Sequence, residues 1–259
     1  GSSKPSPEAA PLDFCLERRS AFSFSCRACG RCCTDKVIMA GPHEILGMSR
    51  LLGLSTTEFL ARYSDNGGTT LRFEADGRCV FVTPTGCRVH PRRPLVCRLY
   101  PLGRAIGETA EERFALFPRQ AGCEAEFGTD GIIGDFLESQ GATPYLEWAR
   151  QYAELYRRMV VLLEGLDVQA KVSLESRPGG AAPAAGTTEE PHAEVSADRT
   201  PLSSWQDIDA SLAEYCAEKG IAVPNGIDES IALHLRAIKE WMDDLESRAA
   251  PPVSGCDRG

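Results

Sequence analysis

The chain has 259 residues, a net charge of −9, 42% hydrophobic residues and 25% charged residues. This is the balance of a water-soluble globular protein with one good-sized domain plus an appendage, or two small domains. It excludes a general nucleic-acid binder, which needs clustered Lys and Arg along the phosphates, and no apolar run reaches the roughly 18 residues of a membrane-spanning helix.

Residues 1–20 are polar and Pro-containing, lack the apolar core of a signal peptide, and read as a loose lead-in. With no export signal in view, the expectation is a cytoplasmic protein. Residues 22–35, FSFSCRACGRCCTD, pack cysteines around Gly30 and predict a loop wrapped round something rather than a regular element.

Pro42 to Leu52 carries Ile45, Leu46, Met48, Leu51 and Leu52 at roughly helical spacing, with Gly53 as a stop. Ser55-Thr56-Thr57-Glu58 reads as a capping box that opens a second helix, and the DNGG at 65–68 is a turn. Leu71–Glu74, Cys79–Thr83 and Cys87–Val89 predict short strands around turns at Asp76-Gly77 and Thr85-Gly86. A hairpin of Leu102–Ile106 and Arg113–Phe117 follows. From Gly134 the pattern turns helical, and Thr143-Pro144 opens a helix that runs to about Leu163.

Residues 171–201 form a Gly-, Ala-, Pro- and Ser-rich linker without hydrophobic periodicity, which predicts disorder. Two amphipathic helices, Trp205–Lys219 and Ile227–Arg248, make a hairpin at 202–250, and 251–259 is a tail. The hairpin either packs back on the main domain or docks a protein partner. The expected class is α+β: a small, irregular, metal-organised domain at 21–170 with short strands and helices, followed by α-helices.

Eleven cysteines are the outlier of the composition. Cys26, Cys29, Cys32, Cys33, Cys79, Cys87, Cys97 and Cys123 fall in one stretch, while Cys15, Cys216 and Cys256 stand apart. The total is odd, no export signal is visible, and the chain can build a core without disulfide staples, so metal ligation is the better reading. Cys26-x-x-Cys29-x-x-Cys32 is the spacing of ferredoxin-type 4Fe–4S ligands, with a fourth cysteine from elsewhere. A single zinc usually takes a second CxxC pair, absent here, so an iron–sulfur cluster is favoured and zinc is the alternative. Adjacent Cys32 and Cys33 do not suit one mononuclear tetrahedral ion and can serve two different centres. Eight thiolates divide into two four-coordinate sets; the other reading is one metal site plus buried structural cysteines.

The distal half carries Cys79 with Phe81, Cys87, Arg93-Pro94 and Cys97-Arg98-Leu99-Tyr100-Pro101. Together with Cys26, Cys29, Cys32 and Cys33, this resembles the CxxCxxCC family of zinc- or iron-chelating proteins, the YkgJ-like cysteine-cluster family. The resemblance covers about residues 22–125. It departs from the family pattern at Leu99, which separates the Arg from the aromatic, and at His90, where the family often has Tyr. A flagellin lysine N-methylase carries a similar cysteine domain, so the resemblance raises a protein-modifying enzyme. The cysteine spacing itself favours an iron–sulfur protein acting in electron transfer or as the redox part of such an enzyme; the alternative is a zinc structural or metal-delivery protein with a partner-docking helical hairpin.

From Arg88 to Arg104 there are five arginines and no acid. A tetrathiolate cluster or zinc carries a net charge of about −2, which is costly to bury alone, so Arg93 and Arg98 are candidate cofactor-binding residues with Arg88, Arg92 and Arg104 beside them. A partner-docking patch and a solvated loop are the alternatives. His90, between Val89 and Pro91, reads as a turn residue rather than a ligand, and His43 as part of a helix start. Gly128-x-x-Gly131-x-x-Gly134 lacks the order of a nucleotide loop. The acid pairs Glu111-Glu112 and Asp243-Asp244 read as solvated faces.

Overall fold

A computed structural model describes residues 12–107, 111–175 and 205–249. The architecture is mixed α+β, in two compact units, Gly1–Trp148 and Ala149–Gly259. No helix among the described residues is long and apolar enough to cross a membrane.

In the first unit the described end of the lead-in, from Leu12, is tied to the domain, while residues 1–11 lie outside the described residues. Leu16 exchanges both backbone hydrogen bonds with Phe114, at 3.0 and 2.8 Å. Strand β1 (Ala21–Ser25) then forms where a loop was expected. Its AFSFS alternates Phe22 and Phe24 with polar residues, the two-residue period of a half-buried strand. The two phenylalanines pack at the edge-to-face angle on Phe136, with ring centroids 5.0 and 6.1 Å away.

Helix α1 (Pro42–Leu51) starts with Pro at its first position, and Gly53 at φ 70° closes its end. Helix α2 (Thr56–Tyr63) has the capping box the sequence announces. Glu58 N–H donates to Ser55 Oγ at 3.2 Å, and Ser55 N–H donates to Glu58 Oε2 at 3.0 Å. Ile45, Met48, Phe59 and Phe81 form a buried apolar cluster beneath these helices, with Cys79 and Cys87 packed at its margin. Each such buried side chain contributes about 1.5–3 kcal/mol.

Strands β2 (Ser64–Asp65) and β3 (Thr70–Leu71) pair across the Asn66–Gly68 turn. Strands β4 (Val82–Thr83) and β5 (Gly86–Cys87) make a second minimal hairpin. Of the strands expected at Leu71–Glu74, Cys79–Thr83 and Cys87–Val89, only Leu71, Val82–Thr83 and Cys87 are in strand, with Phe73 and Cys79 joined by an isolated bridge. The amides of Phe81 and Val89 turn to the sulfurs of Cys79 and Cys87 instead of extending a ladder.

After the short helix α3 (Leu95–Leu99), β6 (Leu102–Ile106) and β7 (Glu112–Leu116) form the expected hairpin in full register. Glu112 is not on a solvated face: Arg18 and Arg104 both pair with it, the latter at 2.6 Å, and its side chain is 15% exposed. Strand β8 (Glu126–Ile132) runs antiparallel to β1, with Phe24 opposite Phe127 and Ser25 opposite Glu126. Its glycines serve that pairing. A Cβ on Gly128 would lie 2.6 Å from Ser23 Oγ, so the Gly128–Gly134 triplet is strand and helix entry, as its failure to match a nucleotide loop indicated. Helix α4 (Ile133–Ser139) and the start of α5 (Thr143–Glu175) close a second apolar cluster of Phe22, Leu99, Leu102, Phe114, Ile133 and Leu137.

Helix α5 continues past Leu163 and five residues into the stretch assigned as linker; 176–201 lies outside the described residues. In the second unit, α6 (Ile208–Lys219) is capped by Asp207, whose Oδ1 accepts the Ala210 amide at 3.1 Å, and ends at Gly220 with φ 63°. Helix α7 (Ile227–Ala249) packs against α6. Tyr152 of α5 hydrogen-bonds His234 at 2.9 Å, and Arg158 bridges Asp243 and Glu246 at 2.6 Å each. The two C-terminal helices thus form a bundle with the distal part of α5.

Candidate metal centre

The eight clustered cysteines all lie in the first unit, on its loops and strand ends. All ten described cysteines are free thiols. Two stand outside the cluster: Cys15 is exposed, and Cys216 is buried in α6.

Cys26 leaves the end of β1, where Ser25 opposes Glu126 and Arg27 pairs with Glu126. That register brings Cys26 and Cys29 toward Cys123, which precedes β8. The Cys29 and Cys123 thiols are hydrogen-bonded. Arg119 fixes the Cys123 turn, its Nη2 donating to the Cys123 carbonyl at 2.6 Å. Cys32 and Cys33 sit on a 3-10 turn, Arg31–Cys33, entered through Gly30 at φ 72°, a left-handed conformation glycine adopts without penalty.

The other cysteines reach the cluster from the opposite side. Cys79 N–H donates to the Cys33 carbonyl at 2.9 Å, and Thr34 bridges Arg78. Val82 N–H donates to the Cys79 carbonyl at 3.0 Å, and Val82 opposes Cys87 across the β4–β5 hairpin. Cys97 lies on α3, whose first amide, Leu95 N–H, donates to Glu44 Oε1 at 2.5 Å. Glu44 Oε2 accepts the Gly41 amide at 2.7 Å, so one buried carboxylate caps α1 and anchors the start of α3.

A local pattern recurs four times. Ala28 N–H points at Cys26 Sγ, at 3.4 Å, and the amides of Arg31, Phe81 and Val89 donate to Cys29, Cys79 and Cys87. In each case the donor is two residues beyond the cysteine. Ala28 takes a left-handed φ of 53° in this turn, a conformation unusual for a residue with a Cβ. Amide donors favour the thiolate over the thiol.

The thiols titrate accordingly. Burial raises Cys29, but the amides of Glu124 and Arg31 and the Cys123 thiol outweigh it, and its pKa falls. Cys32 and Cys33 lie 3.7 Å apart, sulfur to sulfur. The hydrogen bond between them lowers the pKa of Cys32, and the same bond together with burial raises that of Cys33. Burial pushes Cys97 up to about 12, with Cys79, Cys87 and Cys32 adding to it. Burial likewise raises Cys79 and Cys87.

Of the candidate arginines, Arg93 bears on sulfur, acting on Cys97, Cys87 and Cys26 while its guanidinium holds Gln140 Oε1 at 2.6 Å and the His90 carbonyl at 2.7 Å. The Arg98 guanidinium is buried among the carbonyls of Pro91, Arg93 and Gln140, at 2.6–3.1 Å, with its face 3.9 Å from the centre of the Tyr145 ring. It ties α3 to the α4–α5 turn. Arg104 is committed to Glu112. Lys36 faces Cys32, a cation the sequence reasoning did not single out. His90 begins a 3-10 turn, as expected. His43 is buried in α1 against Tyr145 and Trp148, and burial lowers its pKa to about 3.

Tyr100 is a second residue whose role the sequence reasoning missed. Its hydroxyl oxygen is buried with no hydrogen-bond partner. Burial raises the phenol to about 12, and the thiols that raise it further are Cys32, Cys123, Cys29 and Cys26. Among the described residues, no three His, Cys, Asp or Glu side chains are drawn tightly enough together to hold one ion as they stand. The donor set nonetheless fits a thiophilic metal. Eight thiols lie on neighbouring loops and strand ends, four have amides aimed at sulfur, and four of them raise the pKa of a buried, unpartnered phenol.

These features define a metal-chelating cysteine-cluster domain. Residues 25–121 match the model of the CxxCxxCC family, described as "Putative zinc- or iron-chelating domain". The match includes Cys26 through Cys97 and ends two residues before Cys123. No curated protein and no solved structure matches the chain.

Proposed function

We propose that the chain is an iron–sulfur protein of the 4Fe–4S type, with Cys26, Cys29, Cys32 and Cys123 as ligands. The observation that carries this reading is the β1–β8 register, which sets Cys26, at the end of β1, beside the start of β8, which Cys123 precedes; the buried, unpartnered Tyr100 phenol is also raised by these four thiols. They are the ferredoxin-type triplet and one distal cysteine, the combination a cubane cluster takes. When bound, the cluster supplies one-electron redox chemistry, for transfer to a partner or for a protein-modifying enzyme. The chain's own residues prepare the site. Amides at Ala28, Arg31 and Glu124 stabilise thiolates, Tyr100 offers a hydroxyl donor, and Arg93 and Lys36 offset negative charge.

The test is anaerobic reconstitution with ferrous iron and sulfide of the wild type and of Cys29→Ser. The wild type should gain a broad visible charge-transfer absorption, and Cys29→Ser should gain much less. Equal absorption in both, or none in the wild type, would remove the reading. Zinc is the alternative metal, and a wild type that takes zinc tightly yet never colours with iron and sulfide would establish it.

A further inference from the structure

Two of the cysteine-bearing segments lie side by side in one antiparallel run. Asp35 N–H donates to the Gly77 carbonyl at 2.8 Å, Thr34 bridges Arg78, and Cys79 N–H donates to the Cys33 carbonyl at 2.9 Å. Farther along, a Cβ on Gly30 would lie 3.7 Å from Val82 Cγ1, and one on Gly86 would lie 3.9 Å from the Ala28 Cβ. Residues 26–36 and 77–88 therefore share one surface, and it is basic. The two segments carry Arg27, Arg31, Lys36, Arg78 and Arg88 against Asp35, on a chain whose net charge is −9.

Elsewhere in the first unit the cations are paired. Every described arginine and lysine side chain there, except Arg31, Lys36, Arg88 and Arg92, has a carboxylate, amide or carbonyl partner. On the shared surface, Arg27 holds Glu126, and Arg78 holds Asp76 at 2.7 Å. Arg92 is half-buried and lays its stem on α1, with Cδ 3.6 Å from where a Gly47 Cβ would stand. Arg31, Lys36 and Arg88 are exposed, with no hydrogen-bond or ion-pair partner for their side chains among the described residues. The carboxylate of Asp35 lies against Gly77. Val37, 79% exposed, follows Lys36, and at the other end of the run Ala28 and the Cys26 thiol are exposed.

We infer that this face docks a protein partner through an acidic segment, with Arg31, Lys36 and Arg88 pairing its carboxylates and Val37 meeting an apolar side chain among them. A guanidinium fork matches a carboxylate with two parallel hydrogen bonds, and a lysine supplies a point charge. Exposed apolar surface beside charge suits a protein interface, whereas a nucleic acid needs many cations along its phosphates. The acidic remainder of the chain repels such a segment, so charge also sets where it lands. Cys26 stands at the edge of the face, so a docked partner lies beside the thiols. That the partner exchanges electrons rests on the iron–sulfur reading; the contact itself rests on the chain's own side chains.

The test uses the full chain and a short fluorescent peptide of Glu and Leu, with a twin in which every Glu is Gln, read by anisotropy at low and high salt. The acidic peptide should bind at low salt and weaken as salt screens the contact, and the twin should not bind. Arg31→Gln/Lys36→Gln/Arg88→Gln should bind the acidic peptide about 10-fold or more weakly. Arg157→Gln/Arg236→Gln/Lys239→Gln makes the same charge change at exposed positions of the second unit and should bind as the wild type does. A wild type that ignores the acidic peptide, a twin that binds equally, or equal losses in the two triple variants would overturn the inference. Oligothymidylate bound more tightly than the peptide would overturn the assignment to a protein. Carbodiimide cross-linking of the wild type to the acidic peptide locates the contact without any variant. The amide should form at Lys36; amides at Lys219 or Lys239 with none at Lys36 contradict the face. No step uses iron or sulfide, so a protein that never colours leaves this test intact, and a peptide that never binds leaves the iron–sulfur reading intact.

Discussion

Glu44 accepts the Leu95 amide at 2.5 Å across 51 residues of sequence, while its other oxygen accepts the Gly41 amide at 2.7 Å. One carboxylate thereby holds the start of the helix that bears Cys97 to the start of α1. Burial raises its pKa to about 7. Gln offers one acceptor oxygen and turns an NH2 toward the other amide, and Ala offers none. Glu44→Gln should therefore lose about 1–2 kcal/mol and Glu44→Ala about 2–4 kcal/mol in urea denaturation, since buried amides lose their acceptors. Midpoints unchanged from the wild type in both variants would show that the two amides find other partners.

Tyr100→Phe separates the folding role of this ring from its role at the thiols. Its hydroxyl is buried without a partner, so the metal-free variant should be as stable as the wild type or slightly more so, by up to about 1–2 kcal/mol. The metal-loaded variant should lose a hydrogen bond to sulfur. The readouts are metal affinity by chelator competition and, for a reconstituted cluster, a more negative reduction potential. A variant with unchanged affinity and potential would place the hydroxyl outside the metal environment.

His234 makes the second unit sensitive to acid. Burial lowers its pKa from 6.5 to about 3. Between those values the unfolded chain binds a proton that the folded chain excludes, so stability is complete above 6.5 and falls as the pH drops toward 3. The slope is about 1.4 kcal/mol per pH unit for one such group. His43 acts in the same direction over the same window. His234→Gln should flatten the loss between pH 6 and pH 4 by roughly one group's share, measured by denaturant midpoints at several pH values. An unaltered pH profile would mean that the ring protonates in the fold without penalty.

Elements fixed by near neighbours in sequence were legible. The Ser55–Glu58 capping box, the Pro42 helix start, the Gly53 stop and the β6–β7 hairpin each depend on residues close together in the chain, and all formed as expected. Strand β1 also had a local signal, the Phe-Ser alternation, which the density of cysteines beside it obscured. Strand β8 had none: its two glycines, Gly128 and Gly131, depress strand propensity, and only β1, about a hundred residues earlier, gives them a reason.

The site divides along the same line. CxxCxxCC marked the cysteines and the metal chemistry, because that spacing lets thiolates converge with local amides on the sulfurs. Which cysteines come together depends on long-range pairing, such as Ser25 with Glu126 and Cys33 with Cys79, and spacing does not record it. Glu44, Lys36 and Tyr100 were silent for the same reason. The two apolar clusters beneath the loops also narrow what metal organises. Phe59, Phe81, Phe114 and Ile133 are fully buried in apolar clusters that the cysteines only border, so linkage to metal should be concentrated in the cysteine loops rather than spread over the whole of residues 22–125.

The most direct measurement is anaerobic purification of the full chain followed by iron, zinc and acid-labile sulfide analysis together with the visible absorption spectrum. The account predicts iron and sulfide in near-equal amounts, with a broad absorption that bleaches on reduction. A colourless protein containing zinc and no sulfide would contradict the iron–sulfur reading, and a protein without metal of either kind would contradict the thiolate centre itself.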